Sequence, residues 1–229
     1  MKQFTISTYN IRHLLDADFN TNRVAEEVLG AGTDVVAFQE VDRFTERSHG
    51  MDEVAALSAA LQFPFTSFDK AIDYQGGGYG ISTISRYPLL HADAMHYDHY
   101  SVERRVLLHT VIDVEGEPID IFNTHLSFHN GEMMRRTQIA QIHERVAGME
   151  RFILCGDFNT TYDELRPYFD EDTILVNGEM GHFRSFRTTG SGIDNIIVKG
   201  MEVCEARMSF CALSDHEMLT ARIKLPQRE

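Results

Sequence analysis

At 229 residues, with 43% hydrophobic and 24% charged residues, the chain has the size and composition of a globular protein with a substantial core, which excludes disordered and fibrous classes. Its 35 acidic and 21 basic residues give a formal charge of −14, which disfavours a surface built for general attraction to nucleic acid phosphates and leaves a local basic cleft open. No run approaches the roughly 20 apolar residues that span a bilayer, and the start MKQFTISTYN lacks a signal peptide's apolar stretch, so a cytoplasmic location is expected.

In chain order, FTISTYN (4–10) and VVAFQE (35–40) read as strands, and TNRVAEEVLGAG (21–32) between them as a helix stopped by Gly30 and Gly32. A second helix is expected over 52–62, with Asp52 as N-cap and Pro64 beyond its end. Strands follow at 79–85, 105–114 and 118–126, the last two joined by an EGE turn that suggests a hairpin. The segment 131–149 carries Ile139, Ile142, Val146 and Met149 as the apolar stripe of a long helix, with Arg135, Arg136, Gln138 and Glu144 on other faces.

FILCGDFN (152–159) is a buried strand ending in polar residues, and strands follow at 193–198, 202–211 and 217–224. The Gly run 76–78 and the segment 170–192 read as loops. Hairpins beside helix crossovers, with no repeat or linker, predict a layered α/β sandwich forming one domain over 1–229. Cys155, Cys204 and Cys211 lack CxxC spacing and are expected to be core thiols.

Several of these strands turn at their last residues from apolar to a carboxylate, amide or imidazole: Asn10, Glu40, His125, then Asp157 with Asn159. Asp194 in GIDNIIV and Asp215 with His216 in LSDHEM repeat the arrangement, so several strands aim polar ends at one rim. The set suits hydrolysis of a phosphoester. Hard oxygen donors such as Glu40 and the Asn10 amide suit Mg²⁺ or Mn²⁺, and Asn159 and His125 suit phosphoryl oxygens. A carboxylate and a histidine remain to orient or deprotonate water, and no GxSxG-type nucleophile is present. The run HADAMHYDHY (91–100) is rich in histidine but matches no zinc spacing.

The ordered motifs TYN, FQEV, YGISTISRYPL, NTHLS, GDFN, GIDNIIV and LSDH, spread over residues 8–216, resemble the endonuclease/exonuclease/phosphatase family, and the segment QEVDRFTERSHGMDEVAALSAAL (39–61) is similar to its compact bacterial members. The resemblance implies a four-layer, DNase I-like sandwich: two mixed β-sheets face to face, with helices on both outer faces. It further implies that Glu40 is the principal metal ligand, with Asn10 its neighbour and Asp215 assisting. Asp157 resembles the residue that positions or deprotonates the water, and Asn159 the one that holds the phosphoryl group. His216 resembles the imidazole facing the scissile phosphate, with Asp194 orienting it, and His125 a further phosphate contact. Arg104 and Arg105 stand open between another phosphate contact and a solvated strand edge. Three readings follow: a phosphoesterase for a small phosphodiester or phosphomonoester, a DNA or RNA nuclease, and a silent binding module, which the intact set of expected positions disfavours.

Overall fold

The computed structural model describes residues 2–97, 103–128, 131–210 and 212–226. Its first strands are β1 (Gln3–Asn10), β2 (Val35–Arg43), β3 (Phe65–Tyr74), β4 (Gly77–Ser85), β5 (Leu89–His96) and β6 (Val106–Val114). They continue as β7 (Glu117–His125), β8 (Phe152–Asp157), β9 (Thr173–Leu175), β10 (Asp194–Lys199), β11 (Glu202–Ser209) and β12 (Met218–Lys224). The helices are α1 (Thr21–Gly30), α2 (Glu53–Leu61) and α3 (Gly131–Val146), with the short α4 (Tyr162–Leu165) and α5 (Val176–Glu179). Two six-stranded sheets result, in the orders β11-β12-β1-β2-β4-β3 and β5-β6-β7-β8-β10-β9. In each, one parallel pair needs a crossover: α1 joins β1 to β2, and α3 joins β7 to β8. Both sheets are therefore mixed, as expected.

Strand alternation divides the apolar residues among layers. Phe4, Ile6, Val35 and Ala37 face Ile119, Ile121, Ile153, Ile196 and Val198 between the sheets. On the outer side of the first sheet, Tyr9, Val36 and Phe38 meet Val24 and Val28 of α1 and Leu57 and Leu61 of α2. Phe122, Phe152 and Leu154 likewise meet Ile139, Ile142 and Val146 of α3. Phe38 and Leu57 are fully buried, and each such side chain contributes roughly 1.5–3 kcal/mol by transfer from water. No helix among the described residues is long and apolar enough to cross a membrane.

Toward one end of the sandwich the inward positions become polar. Gln39 Nε2 donates to Asn123 Oδ1 across the inter-sheet space at 2.8 Å and to Thr8 Oγ1 at 3.1 Å. Asn123 Nδ2 returns to the Phe38 and Ser82 carbonyls, both at 3.0 Å, and Ser82 and Thr83 are buried in this layer.

The structure corrects several expectations. The Gly run is largely strand: the turn is made by Gln75 and Gly76, both at positive φ, while Gly77 and Gly78 open β4. A Cβ on Gly77 would run into the Arg43 carbonyl oxygen, so the glycine answers a close strand approach. Strands β3 and β5 had no clear sequence signal because they lie at sheet edges and carry many exposed polar positions. Within 170–192 the chain forms β9 and α5. Gln138 is buried, exchanging hydrogen bonds with Ser127 N and Oγ. Cys155 is a core thiol, whereas Cys204 is partly exposed, and Cys211 lies outside the described residues.

At the start of α2, Asp52 caps the helix by accepting from Ala55 N at 3.1 Å. The next residue, Glu53, is fully buried: Oε2 accepts from Asp42 N at 2.8 Å, and Oε1 meets no donor among the described residues. Burial pushes its pKa up to about 8, the Asp42 carboxylate adding to the effect. A carboxyl whose folded pKa is raised gives stability that is full below the unfolded pKa and lost as pH rises through the folded one. Relative to Glu53→Gln, the wild type should therefore lose on the order of 3–5 kcal/mol between about pH 5 and 9, at about 1.4 kcal/mol per pKa unit. Parallel urea-stability curves for the two proteins across that range would contradict the assignment.

Candidate active site

Asn10, His125 and Asp157 end β1, β7 and β8, Asp194 opens β10, and His216 lies just before β12. His125 and Asp194 stand opposite Asp157 in the sheet register. Asn10 joins the two sheets, its Nδ2 donating to Glu40 Oε1 at 3.1 Å and to Asp157 Oδ2 at 3.0 Å. Its Oδ1 accepts from Arg12 N at 3.0 Å, which fixes the amide orientation, since a backbone N–H can only meet an acceptor. Asn10 thus bridges two carboxylates through its donor end.

Glu40 sits at a break in the β2–β4 register with φ of 57°. A bulge of this kind turns a side chain out of the normal alternation, so neighbouring Gln39 points between the sheets while Glu40 points into the cleft. Just beyond Asn10, Arg12, His13 and Leu14 have φ of 46°, 43° and 58°, a left-handed turn of three residues. Such a conformation costs roughly 1–2 kcal/mol per residue and is offset in part here by complete burial of Leu14. The turn places His13 Nδ1 at 3.9 Å from Glu40 Oε2 and directs Arg12 to Asp16 at 3.1 Å and Asp215 at 3.8 Å. Burial opposes ionisation of Glu40, but the nearby His13, the Asn10 amide and the Arg105 charge outweigh it and hold the carboxyl well below the usual range.

Two imidazoles flank Asp157, each with Nε2 at 3.5 Å from the same Oδ2. Opposite partners set their charge. Arg105 Nη1 donates to His125 Nδ1 at 2.8 Å, and a guanidinium carries donors only, so the ring is neutral with its proton on Nε2. Burial, then the Arg105 charge, holds the His125 pKa well below the ordinary value. His216 instead donates from Nδ1 to Asp194 Oδ2 at 2.8 Å. Burial works against its cation, but Asp194 and Asp157 prevail and push its pKa up to about 10. Asp157 is itself pushed up to about 7, by burial first and the Asp194 charge second, against the pull of His216, Asn159 and Asn10.

Asn159, at φ 49°, donates its backbone N–H to Asp157 Oδ1 at 2.9 Å and its amide to the Leu126 carbonyl at 2.9 Å. Asp215 is partly exposed beside Arg12. Ser214 Oγ donates to the Asn10 carbonyl at 2.7 Å and accepts from His216 N at 3.2 Å, tying the SDH segment to β1. All eight expected residues thus gather at one end of the sandwich. A cleft of about 1110 Å³ opens over six of them, Glu40, His125, Asp157, Asn159, Asp215 and His216. Asp157, Asp194 and His216 also bring ligand atoms within 4.8 Å of one another, the spacing of a metal site.

The two arginines left open by the sequence separate here. Arg104 is exposed, while Arg105 is buried in the cleft wall between His125 and Glu103. Sequence reasoning missed His13, although it follows Asn10 by three residues at the same strand end. It also missed the cleft residues Arg47, Tyr74, Tyr79 and Phe186, whose roles depend on distant segments meeting. Within the His-rich run, His91 pairs with Asp93 and His96 with Asp69, and residues 98–100 lie outside those described. Among the described residues, this run forms no three-ligand group.

Two mixed sheets whose adjoining ends collect carboxylates, amides and imidazoles around one cleft define the sandwich-fold hydrolases of phosphoester bonds. The chain belongs to the endonuclease/exonuclease/phosphatase family, whose model matches residues 7–216. Among solved structures, an endonuclease/exonuclease/phosphatase from Beutenbergia cavernae superposes with a TM-score of 0.81 at 18% identity, over 98% of this chain and 72% of that one. Danio rerio TDP2 complexed with a single-strand DNA product gives 0.77 at 16% identity, over 97% and 99% of the two chains. A mannosyl-6-phosphatase from Bacteroides thetaiotaomicron gives 0.75 at 16% identity, over 97% and 100%. At these identities the likeness establishes the fold. No curated protein matches the sequence.

The Arg105–His125 contact is directly testable by ¹⁵N NMR of the imidazole nitrogens near neutral pH. The wild-type ring should show the neutral Nε2–H tautomer, and Arg105→Met should admit the Nδ1–H form or the cation. A wild-type ring protonated at Nδ1 would contradict the geometry.

Proposed function

We propose that residues 1–229 act as one catalytic domain, a Mg²⁺-dependent phosphoesterase that hydrolyses a phosphodiester or phosphomonoester by in-line attack of water. The observation that carries the reading is the convergence of two histidine Nε2 atoms on one oxygen of Asp157, itself joined to Glu40 through Asn10. The donor set fits a hard cation: Glu40 is ionised, and its Oε2 lies 3.9 Å from His13 Nδ1. Glu40 would hold the ion, with Asp215 beside it and Asn10 fixing the Glu40 carboxylate. When bound, Mg²⁺, or Mn²⁺ in its place, supplies polarisation of a phosphoryl oxygen and neutralises charge that develops there.

The remaining work falls to the protein. Asp157, raised toward neutrality, receives a proton from the attacking water, since a base works best with a pKa near the working pH. His125 donates Nε2–H to a phosphoryl oxygen without adding a positive charge beside Glu40. His216, kept cationic by Asp194, faces the same phosphoryl group and stabilises its negative charge. Asn159 is held beside Asp157 to orient the group under attack.

A small phosphoester is favoured over a polynucleotide. The net charge of −14 opposes a surface that follows a polyanion, and of the adjacent basic pairs, Arg105 is buried and Arg136 pairs with Glu132. The likeness to TDP2 keeps a nuclease as the second reading. A panel of bis-p-nitrophenyl phosphate, p-nitrophenyl phosphate, and single-stranded and duplex nucleic acid separates the two at about 0.15 M salt, where surface attraction is largely screened. A small ester should have the highest kcat/KM, EDTA should abolish turnover, and Glu40→Gln should lower kcat by about a hundredfold or more. Full activity of Glu40→Gln in EDTA would overturn the metal reading, and duplex cleavage a hundredfold above both small esters would put the nuclease first.

A further inference from the structure

Near the cleft, His13 is a titratable group that the proposed reaction leaves without work. Its Nδ1 is shut off from solvent and meets no hydrogen-bond partner among the described residues, a costly state for a buried ring nitrogen. Its nearest acidic atom, Glu40 Oε2, lies 3.9 Å away, beyond hydrogen-bond range, whereas an imidazolium paired with that carboxylate would close to about 2.8 Å. Two ligand atoms at about 2.1 Å from a shared ion stand about 3.0 Å apart at a right angle and about 4.2 Å apart in line, so 3.9 Å is a separation that one ion spans.

The backbone gives independent support. Arg12, His13 and Leu14 hold left-handed φ in sequence without a glycine, and strain of this kind persists where the surroundings over-determine it. Leu14 anchors one side of the turn in the core, and the same turn sets His13 against Glu40. The neighbouring cation does not compete for that carboxylate, because Arg12 is directed to Asp16 and Asp215.

We infer that His13 is a direct ligand of the ion that Glu40 holds, giving a mixed nitrogen and oxygen site that prefers a first-row transition ion to Mg²⁺. The inference rests on the metal-dependent reading of this cleft. Imidazole binds first-row ions better than it binds Mg²⁺, which favours oxygen donors and gives up its water reluctantly. With His13 as ligand, Mg²⁺ still binds through Glu40 but loses the contribution of the nitrogen.

The test uses Mn²⁺ and the whole protein, without substrate. Electron spin-echo spectra of the wild type with one equivalent of Mn²⁺ should show coupling to a directly bound histidine nitrogen. His13→Asn suits the left-handed backbone and should abolish that coupling, raise the Mn²⁺ Kd about tenfold or more, and change the Mg²⁺ Kd much less. A wild-type spectrum without nitrogen coupling needs no variant and would overturn the inference, as would coupling that survives in His13→Asn. Glu40→Gln separates the levels of failure. If Mn²⁺ affinity depends on Glu40 but no nitrogen is coupled, only the role of His13 fails; if it does not depend on Glu40, the proposed metal reading fails with it.

Discussion

The hydrogen bond from Gln39 to Asn123 governs how this molecule presents its chemistry. It crosses the inter-sheet layer where both partners are fully buried, one residue before Glu40 in one sheet and two before His125 in the other. Apolar packing between sheets is non-directional and tolerates sliding, whereas a buried amide pair left unmade costs about 1–3 kcal/mol per group. The returning bonds from Asn123 to the Phe38 and Ser82 carbonyls leave that amide little freedom. The clasp therefore fixes the register between sheets just below the cleft, and Asn10 repeats it at the rim by spanning Glu40 and Asp157.

A site so assembled concentrates charge at the buried ends of interior strands, and each carboxylate there meets a distinct answer. Glu40 is held ionised by its neighbours, ready for a cation. Asp194 is matched by His216, and Asp157 carries a raised pKa from burial first and the Asp194 charge second. The same oxygen of Asp157 sees one neutral and one cationic imidazole, and the difference comes from the partner behind each ring. The strained backbone at Glu40 and at 12–14 lies in the same place, so stability is spent where side chains must leave the regular pleat.

Much of this was legible in the sequence because strand signals and polar strand ends are local. FTISTYN and FILCGDFN show an apolar alternation or run and then the residue it delivers, and both lead into the cleft. Edge strands β3 and β5 escaped because half-exposed strands carry little periodicity, and their existence is decided by pairing with β4 and β6. Arg105 could not be assigned because its burial depends on folding beside His125, 20 residues away. His13 was hidden for a different reason: a left-handed turn in non-glycine residues has no sequence signature, so nothing announced that the chain doubles back to Glu40.

On the proposed reading, both sheets contribute to one ion-assisted phosphoester site centred on Glu40. The most direct test of this is a crystal structure with Mn²⁺ and inorganic phosphate, the ion located by anomalous scattering. The ion should lie within bonding distance of Glu40, with phosphate oxygens against the Nε2 atoms of His125 and His216. An ion seated instead among Asp157, Asp194 and His216, with Glu40 unliganded, would contradict it.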